Sequence, residues 1–153
     1  MKSLIVYFSK YGNTQKIAEA MAGRLGSAGP VRVLSADQLT TSDLTGADLI
    51  VAGTPTHRMN LPEAVRPALD RLPRRILRAT PVAAFDTSYK MSAWLAYFTA
   101  ARKLLRRLRK LGGKRVLPPE TFHVVEKEGP LYDGEIERAR EWAGSILERL
   151  DGR

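Results

Sequence analysis

The sequence predicts an α/β fold: a five-stranded parallel sheet of order 2-1-3-4-5 with helices on both faces. Three observations lead there. Leu4–Phe8, Asp48–Gly53 and Pro81–Phe85 are near-continuous apolar runs of strand length, the pattern of strands buried on both faces. Helical stretches alternate with the strands, giving βαβαβαβαβα, which implies parallel pairing. Two further strands are marked as edges: Val31–Leu34 by a polar interruption, and Arg115–Val125 by Pro118-Pro119. Right-handed crossovers then restrict the topology.

The elements follow in order. After the first strand, Ile17, Ala18, Met21, Ala22 and Leu25 recur on one helical face. Gly26–Pro30 reads as a turn before the second strand. Ser35–Gly46 is polar, anchored by Leu39 and Leu44, and reads as loop and short helix. Past the third strand, Pro62 suits a first helical turn, and Val65, Ala68, Leu69 and Leu72 form its apolar face. Pro73–Thr80 is a basic connection. The fourth strand ends at Phe85 and runs into a loop, Asp86–Met91. Trp94, Tyr97, Phe98, Ala101, Leu104, Leu105, Leu108 and Leu111 then recur at helical spacing, with Trp94 on the core face, until Gly112-Gly113 ends the helix. Arg115–Leu117 and Phe122–Val125 make one broken strand. After the loop Glu126–Asp133, a last helix presents Ile136, Ala139, Trp142, Ala143, Ile146, Leu147 and Leu150.

A chain of 153 residues suits one domain with a real core. It has no cysteine, which excludes disulfides, thiolate chemistry and cysteine-ligated metals. Its two histidines, His57 and His123, lie far apart and show no metal-ligand spacing. No apolar run is long enough to span a bilayer, and the N-terminus enters a strand without a signal-peptide pattern, so a cytoplasmic protein is expected. The net charge of +9 admits an acidic protein, nucleic acid or an anionic membrane surface as partner, or solubility alone.

The chemistry gathers at the carboxyl ends of the three apolar strands. Ser9-Lys10-Tyr11-Gly12-Asn13-Thr14 joins the first strand to a helix start, where amides lack intrahelical partners and the helix dipole is positive. Ser9 and Thr14 add hydroxyls, and Gly12 admits a positive φ. The spacing is neither G-x-G-x-x-G nor a P-loop. Two readings stand: Asn13 or Thr14 caps the helix, or the turn holds a phosphate. The loops Thr54–Asn60 and Asp86–Met91 leave strands adjacent to the first, so all three converge on one crevice. They carry Pro55, Met59 and Tyr89, with Trp94 nearby, as walls for a planar ring. No nucleophile–base constellation stands out.

Ser9–Thr14 resembles the phosphate loop of the flavodoxin family, Ser/Thr-x-Thr-Gly-x-Thr, with Tyr11 where that family often has threonine. Asp86-Thr87-Ser88-Tyr89 resembles the Asp-Ser-Ser-Tyr stretch of short-chain flavodoxins, and Thr54-Pro55-Thr56-His57 is similar to the second flavin loop of related proteins. Gly129-Pro130-Leu131 with Gly134-Glu135 is another shared feature, and Pro118–Thr121 is too short for the insertion of long-chain members.

The resemblance implies one flavodoxin-like domain over residues 1–153 with FMN as cofactor. It is carried over to Ser9, Lys10, Tyr11, Gly12, Asn13 and Thr14; to Thr54, Pro55, Thr56, His57, Arg58, Met59 and Asn60; and to Asp86, Thr87, Ser88, Tyr89 and Lys90. Tyr89 would stack on the flavin and Asp86 would accept a ring N–H. No catalytic residue and no metal are implied. Arg58 and Lys90 place cations by the ring, favouring its anionic reduced state, so the redox poise should differ from that of acidic family members. The function implied is electron transfer between protein partners. An FMN-dependent quinone or NAD(P)H oxidoreductase, or a module that has lost its cofactor, are the alternatives. The basic series Arg102, Lys103, Arg106, Arg107, Arg109, Lys110, Lys114 and Arg115 is expected to meet a redox partner with an acidic docking face; no nucleic-acid module accompanies it.

Overall fold

The computed structural model describes residues 1–56, 60–96 and 98–152. β1 (Ser3–Tyr7) lies between β2 (Val31–Ser35) and β3 (Leu49–Pro55). β4 (Pro81–Tyr89) follows β3. Two short strands, β5 (Lys114–Arg115) and β6 (Glu120–Val124), share its outer edge end to end. All these strand pairings are parallel, in the order β2-β1-β3-β4-β5 expected from the sequence. Pro118-Pro119 separates β5 from β6, where missing N–H donors cost least.

Among the described residues, six α-helices complete the fold: α1 (Asn13–Leu25), α2 (Thr41–Thr45), α3 (Val65–Asp70), α4 (Ala93–Ala96), α5 (Ala100–Lys110) and α6 (Glu135–Asp151). Strand side chains alternate between two cores. Ile5, Leu49, Val51, Ala83 and Phe85 face α1 and α6, whereas Leu4, Val6, Ile50, Ala52, Val82 and Ala84 face α2, α3 and α5. The first core centres on Phe85, whose ring meets Phe122 and Trp142 edge-on at 5.9 and 6.3 Å. Gly53 makes room for it, because a Cβ there would lie 2.1 Å from the Phe85 ring. Truncating so buried a ring costs roughly 3–5 kcal/mol.

Two expectations fail. The helix read as continuous from Trp94 to Leu111 is two helices, parted where Thr99 adopts an extended conformation ahead of α5. Trp94 and Phe98 consequently leave the core: they are 67% and 53% exposed. The second failure concerns Asp86–Tyr89, read as loop but folded as the last four residues of β4. Pairing on both sides extends the strand, with β3 through Thr54↔Asp86 and Pro55↔Thr87, and with β6 through to Tyr89↔Val124.

Candidate functional site

A cavity of about 440 Å³ opens at the carboxyl end of β1, β3, β4 and β6. Its walls are Ser9, Lys10, Tyr11, Asn13 and Thr14 from the β1–α1 turn, Pro55 and Thr56 from the end of β3, and Thr87, Ser88, Tyr89 and Met91 from the end of β4 and beyond. Val124 and Lys127 close the fourth side. The three converging loops are therefore brought together as the topology requires.

The β1–α1 turn is built around Gly12, whose φ of 88° is the left-handed conformation that glycine adopts without steric cost. The Gly12 amide donates to Ser9 Oγ at 3.0 Å, which closes the turn. Among the described residues no side chain caps α1, and its first turn holds no acidic residue. Among the described residues, the amides of Asn13, Thr14 and Gln15 find no acceptor. The reading in which Asn13 or Thr14 caps the helix therefore does not hold. Thr14 Oγ1 instead shares a buried 2.9 Å hydrogen bond with Thr87 Oγ1, tying the turn to β4. Asn13 Nδ2 donates to the Glu128 carbonyl at 3.2 Å. A Cβ at Gly129 would lie 2.8 Å from Asn13 Oδ1, so the 126–133 loop seats directly on the start of α1.

Asp86 belongs elsewhere. Its side chain does not line the cavity and is fully buried. Asp86 Oδ2 accepts the Thr56 hydroxyl at 2.5 Å and the Ala101 amide at 3.1 Å, while Thr56 Oγ1 accepts the Ala100 amide at 3.0 Å. The pair thus caps α5 from two distant strands. Burial raises the Asp86 pKa above the usual aspartate value, although the hydroxyls of Thr121, Thr56 and Thr99 and the Ala101 amide act in the opposite direction. Among the described residues, Oδ1 finds no direct hydrogen-bond partner. This geometry corrects the expectation that Asp86 faces a ring N–H.

The other expected residues divide. Thr54 is buried on β3, its hydroxyl donating to the Pro55 carbonyl at 3.1 Å, and Asn60 Oδ1 accepts the Leu61 amide at 2.8 Å; neither lines the cavity. Lys90 lies over the Tyr132 ring at 4.1 Å, outside the lining. His57, Arg58 and Met59 lie outside the described residues. Tyr89 stands at the mouth, 48% exposed. Met91, Val124 and Lys127 were not among the expected contacts. The signal for them was available, since a ligand at the carboxyl edge also meets the loop after the last strand. Among the described residues no carboxylate lines the cavity, whereas Lys10 and Lys127 do. Among the described residues, no cluster of histidine and carboxylate side chains is placed to hold a metal, and no helix is long and apolar enough to cross a membrane.

Comparison with known proteins agrees with this architecture. The family profile described as Flavodoxin matches residues 5–142. Among solved structures, flavodoxin 2 from Bacillus cereus is 21% identical with a TM-score of 0.78, covering 97% of this chain and 99% of that one. A flavodoxin from the domain Archaea is 19% identical with a TM-score of 0.77, covering 99% of each chain. Rubredoxin oxygen:oxidoreductase from Desulfovibrio gigas, 20% identical with a TM-score of 0.74, matches 99% of this chain over 36% of its own length. No curated protein sequence matches.

Proposed function

The chain belongs to the flavodoxin family, and from that premise we propose that it binds FMN and carries electrons between redox proteins, with partners that present an acidic docking face. The observation that carries the reading is the start of α1. A helix N-terminus with a left-handed glycine, two hydroxyls and three unanswered amides suits a phosphate dianion, and the cavity beside it has the size of a ligand site.

The residues present fit the group. Ser9, Thr14 and the amides of Asn13–Gln15 would take the phosphate, with Thr87 fixing the Thr14 hydroxyl. Pro55, Tyr89 and Met91 would wall the ring system and exclude water from it. FMN supplies reversible electron uptake, which no side chain here provides. Lys10 and Lys127, in a lining without carboxylates among the described residues, favour an anionic occupant.

Protein purified without added flavin should be yellow and release FMN on denaturation. Tyr89→Ala should then restore flavin emission and weaken binding by about 1–3 kcal/mol, by analogy with base–aromatic stacking. Colourless protein whose apo form takes up no FMN would refute the reading. Steady turnover of a quinone with reduced nicotinamide, and no added reductase, would make the protein an enzyme instead.

A further inference from the structure

The charge of this chain is segregated. Residues 61–116 hold fourteen lysines and arginines against three acids, a net +11, so the remainder of a +9 chain carries −2. One of the three acids, Asp86, is buried, and another, Asp70, is held by Arg107 at 2.9 Å. The segment's apolar residues are spent inward: Val65, Leu69, Leu77, Leu104, Leu105 and Leu108 pack under the sheet. Its cations are thereby forced outward, with Arg71, Arg74, Arg75, Arg78, Arg106 and Arg109 all exposed. Between α3 and α5 runs a groove of about 210 Å³, with Leu69, Leu72 and Leu111 among its lining and Arg74, Arg107 and Lys110 beside them.

The cavity end of this side is apolar. Trp94 and Phe98 are exposed and meet edge-on, ring centres 6.4 Å apart. Trp94 is three residues from Met91, which lines the cavity, so their Cα atoms are at most about 11 Å apart. Arg106, Arg109 and Lys110 lie about 9–15 Å along α5 from its first residue.

We infer that the α3–α5 side is a docking surface for the acidic face of a protein partner, with Trp94 and Phe98 as its anchor beside the cavity. The inference rests on the electron-carrier reading for its biological sense, but its physical basis is separate. An exposed aromatic pair followed along the chain by an arginine-rich helix is the anatomy of a protein interface. Arginine outnumbers lysine ten to four in the segment, which suits forked pairing with carboxylates. A nucleic-acid backbone would be served by the charges alone and gives no reason for an exposed aromatic pair just before α5. A bilayer would require apolar residues along the exposed face of α5, and that face is basic.

The test is an NMR titration of the labelled protein with plant plastocyanin, an acidic copper protein, and separately with cytochrome c, a basic one. Plastocyanin should shift the Trp94 indole and the α5 amides, weakening about tenfold as salt rises from about 20 to 200 mM, while cytochrome c leaves them in place. The combined Arg106→Glu, Arg109→Glu and Lys110→Glu variant should weaken plastocyanin by about tenfold or more, and Trp94→Ala by several-fold. The inference is overturned if the shifts map to α1 and α6, or if plastocyanin at about 1 mM gives none. Tighter binding at about 150 mM salt to a DNA duplex, or to vesicles containing phosphatidylglycerol, would overturn it too. The same footprint on protein that takes up no flavin keeps the docking surface and removes only the FMN reading.

Discussion

Two helices deliver their N-termini to the same edge of the sheet and are treated oppositely. At α5, Thr56 and Asp86 reach in from β3 and β4 to accept the first amides, and a buried carboxyl meets the positive end of the dipole. At α1, the turn ends in an uncapped glycine and, among the described residues, the first amides find no acceptor. A third start, that of α6, resembles α1 in its left-handed Gly134, with φ 88°, yet it carries Glu135 and Glu137 in its first turn. A helix start is normally satisfied by its own chain. Among the described residues no side chain caps α6 either, but its Glu135 amide meets the Tyr132 carbonyl and two carboxylates stand in its first turn. Of these three starts, α1 is the one with open amides, no acid in its first turn and a cavity beside it, as the proposed phosphate site requires.

The comparison is broken most forcefully at Asp86. Asp86→Ala removes the acceptor for the Ala101 amide and the Thr56 hydroxyl inside the core, and should cost about 2–4 kcal/mol in urea unfolding. Asp86→Asn keeps an oxygen acceptor and isolates the charge. Because the folded pKa is raised, the folded state favours the protonated carboxyl. Wild type therefore holds its full advantage below the usual aspartate range. It loses stability relative to Asp86→Asn as pH rises from that range through the raised folded value. A constant difference across pH would show that burial does not penalise this charge.

Glu135 sharpens the comparison at α6. Its carboxylate takes the His123 amide at 2.6 Å and the Arg138 guanidinium at 2.8 Å; Arg138 also reaches the Thr121 carbonyl and lies over the Phe122 ring. Burial alone would raise its pKa, but the bonds from Arg138 and the His123 amide outweigh that and leave it lowered. Glu135→Gln should destabilise by about 1 kcal/mol at neutral pH, since solvent reaches Arg138. Wild type keeps this contribution above the usual glutamate range and loses it as pH falls through the lowered folded value, so the two proteins should converge in acid.

Much of this arrangement was written in the sequence, in the places where one stretch decides its own structure. Leu4–Phe8 and Asp48–Gly53 could only be buried strands, and Ser9–Thr14 carried its turn chemistry within six residues. What was not legible depends on partners distant in the chain. The break before Ala100 is set by Thr56 and Asp86, 44 and 15 residues away from the amides they accept. Helical spacing alone therefore ran Trp94 into the core. Asp86 was misplaced because Thr87 and Ser88 read as loop residues, while their strand pairing comes from both β3 and β6. Lys127 reaches the cavity because its loop folds back on Asn13; its place after the last strand put it at the carboxyl edge, but the contact itself depends on a residue more than a hundred positions away.

The smallest perturbation acts on the open helix start itself. Thr14→Val deletes one hydroxyl from the turn and should weaken FMN by about 1–2 kcal/mol, roughly 5- to 30-fold, while riboflavin binding stays within about twofold. It also leaves the Thr87 hydroxyl without its partner, so a modest loss of thermal stability should accompany it. Equal weakening of both ligands would mean that Thr14 shapes the cavity rather than the anion site.

The most direct measurement is the pair of dissociation constants of the apoprotein for FMN and for riboflavin, two ligands that differ only in the phosphate. If the uncapped start of α1 is a phosphate site, several charge-assisted bonds are gained and FMN should bind about a hundredfold tighter or more. Equal affinity for the two, under the same salt and pH, would contradict the account: the free amides of α1 would then be answered by water, and the difference between α1 and α5 would carry no functional meaning.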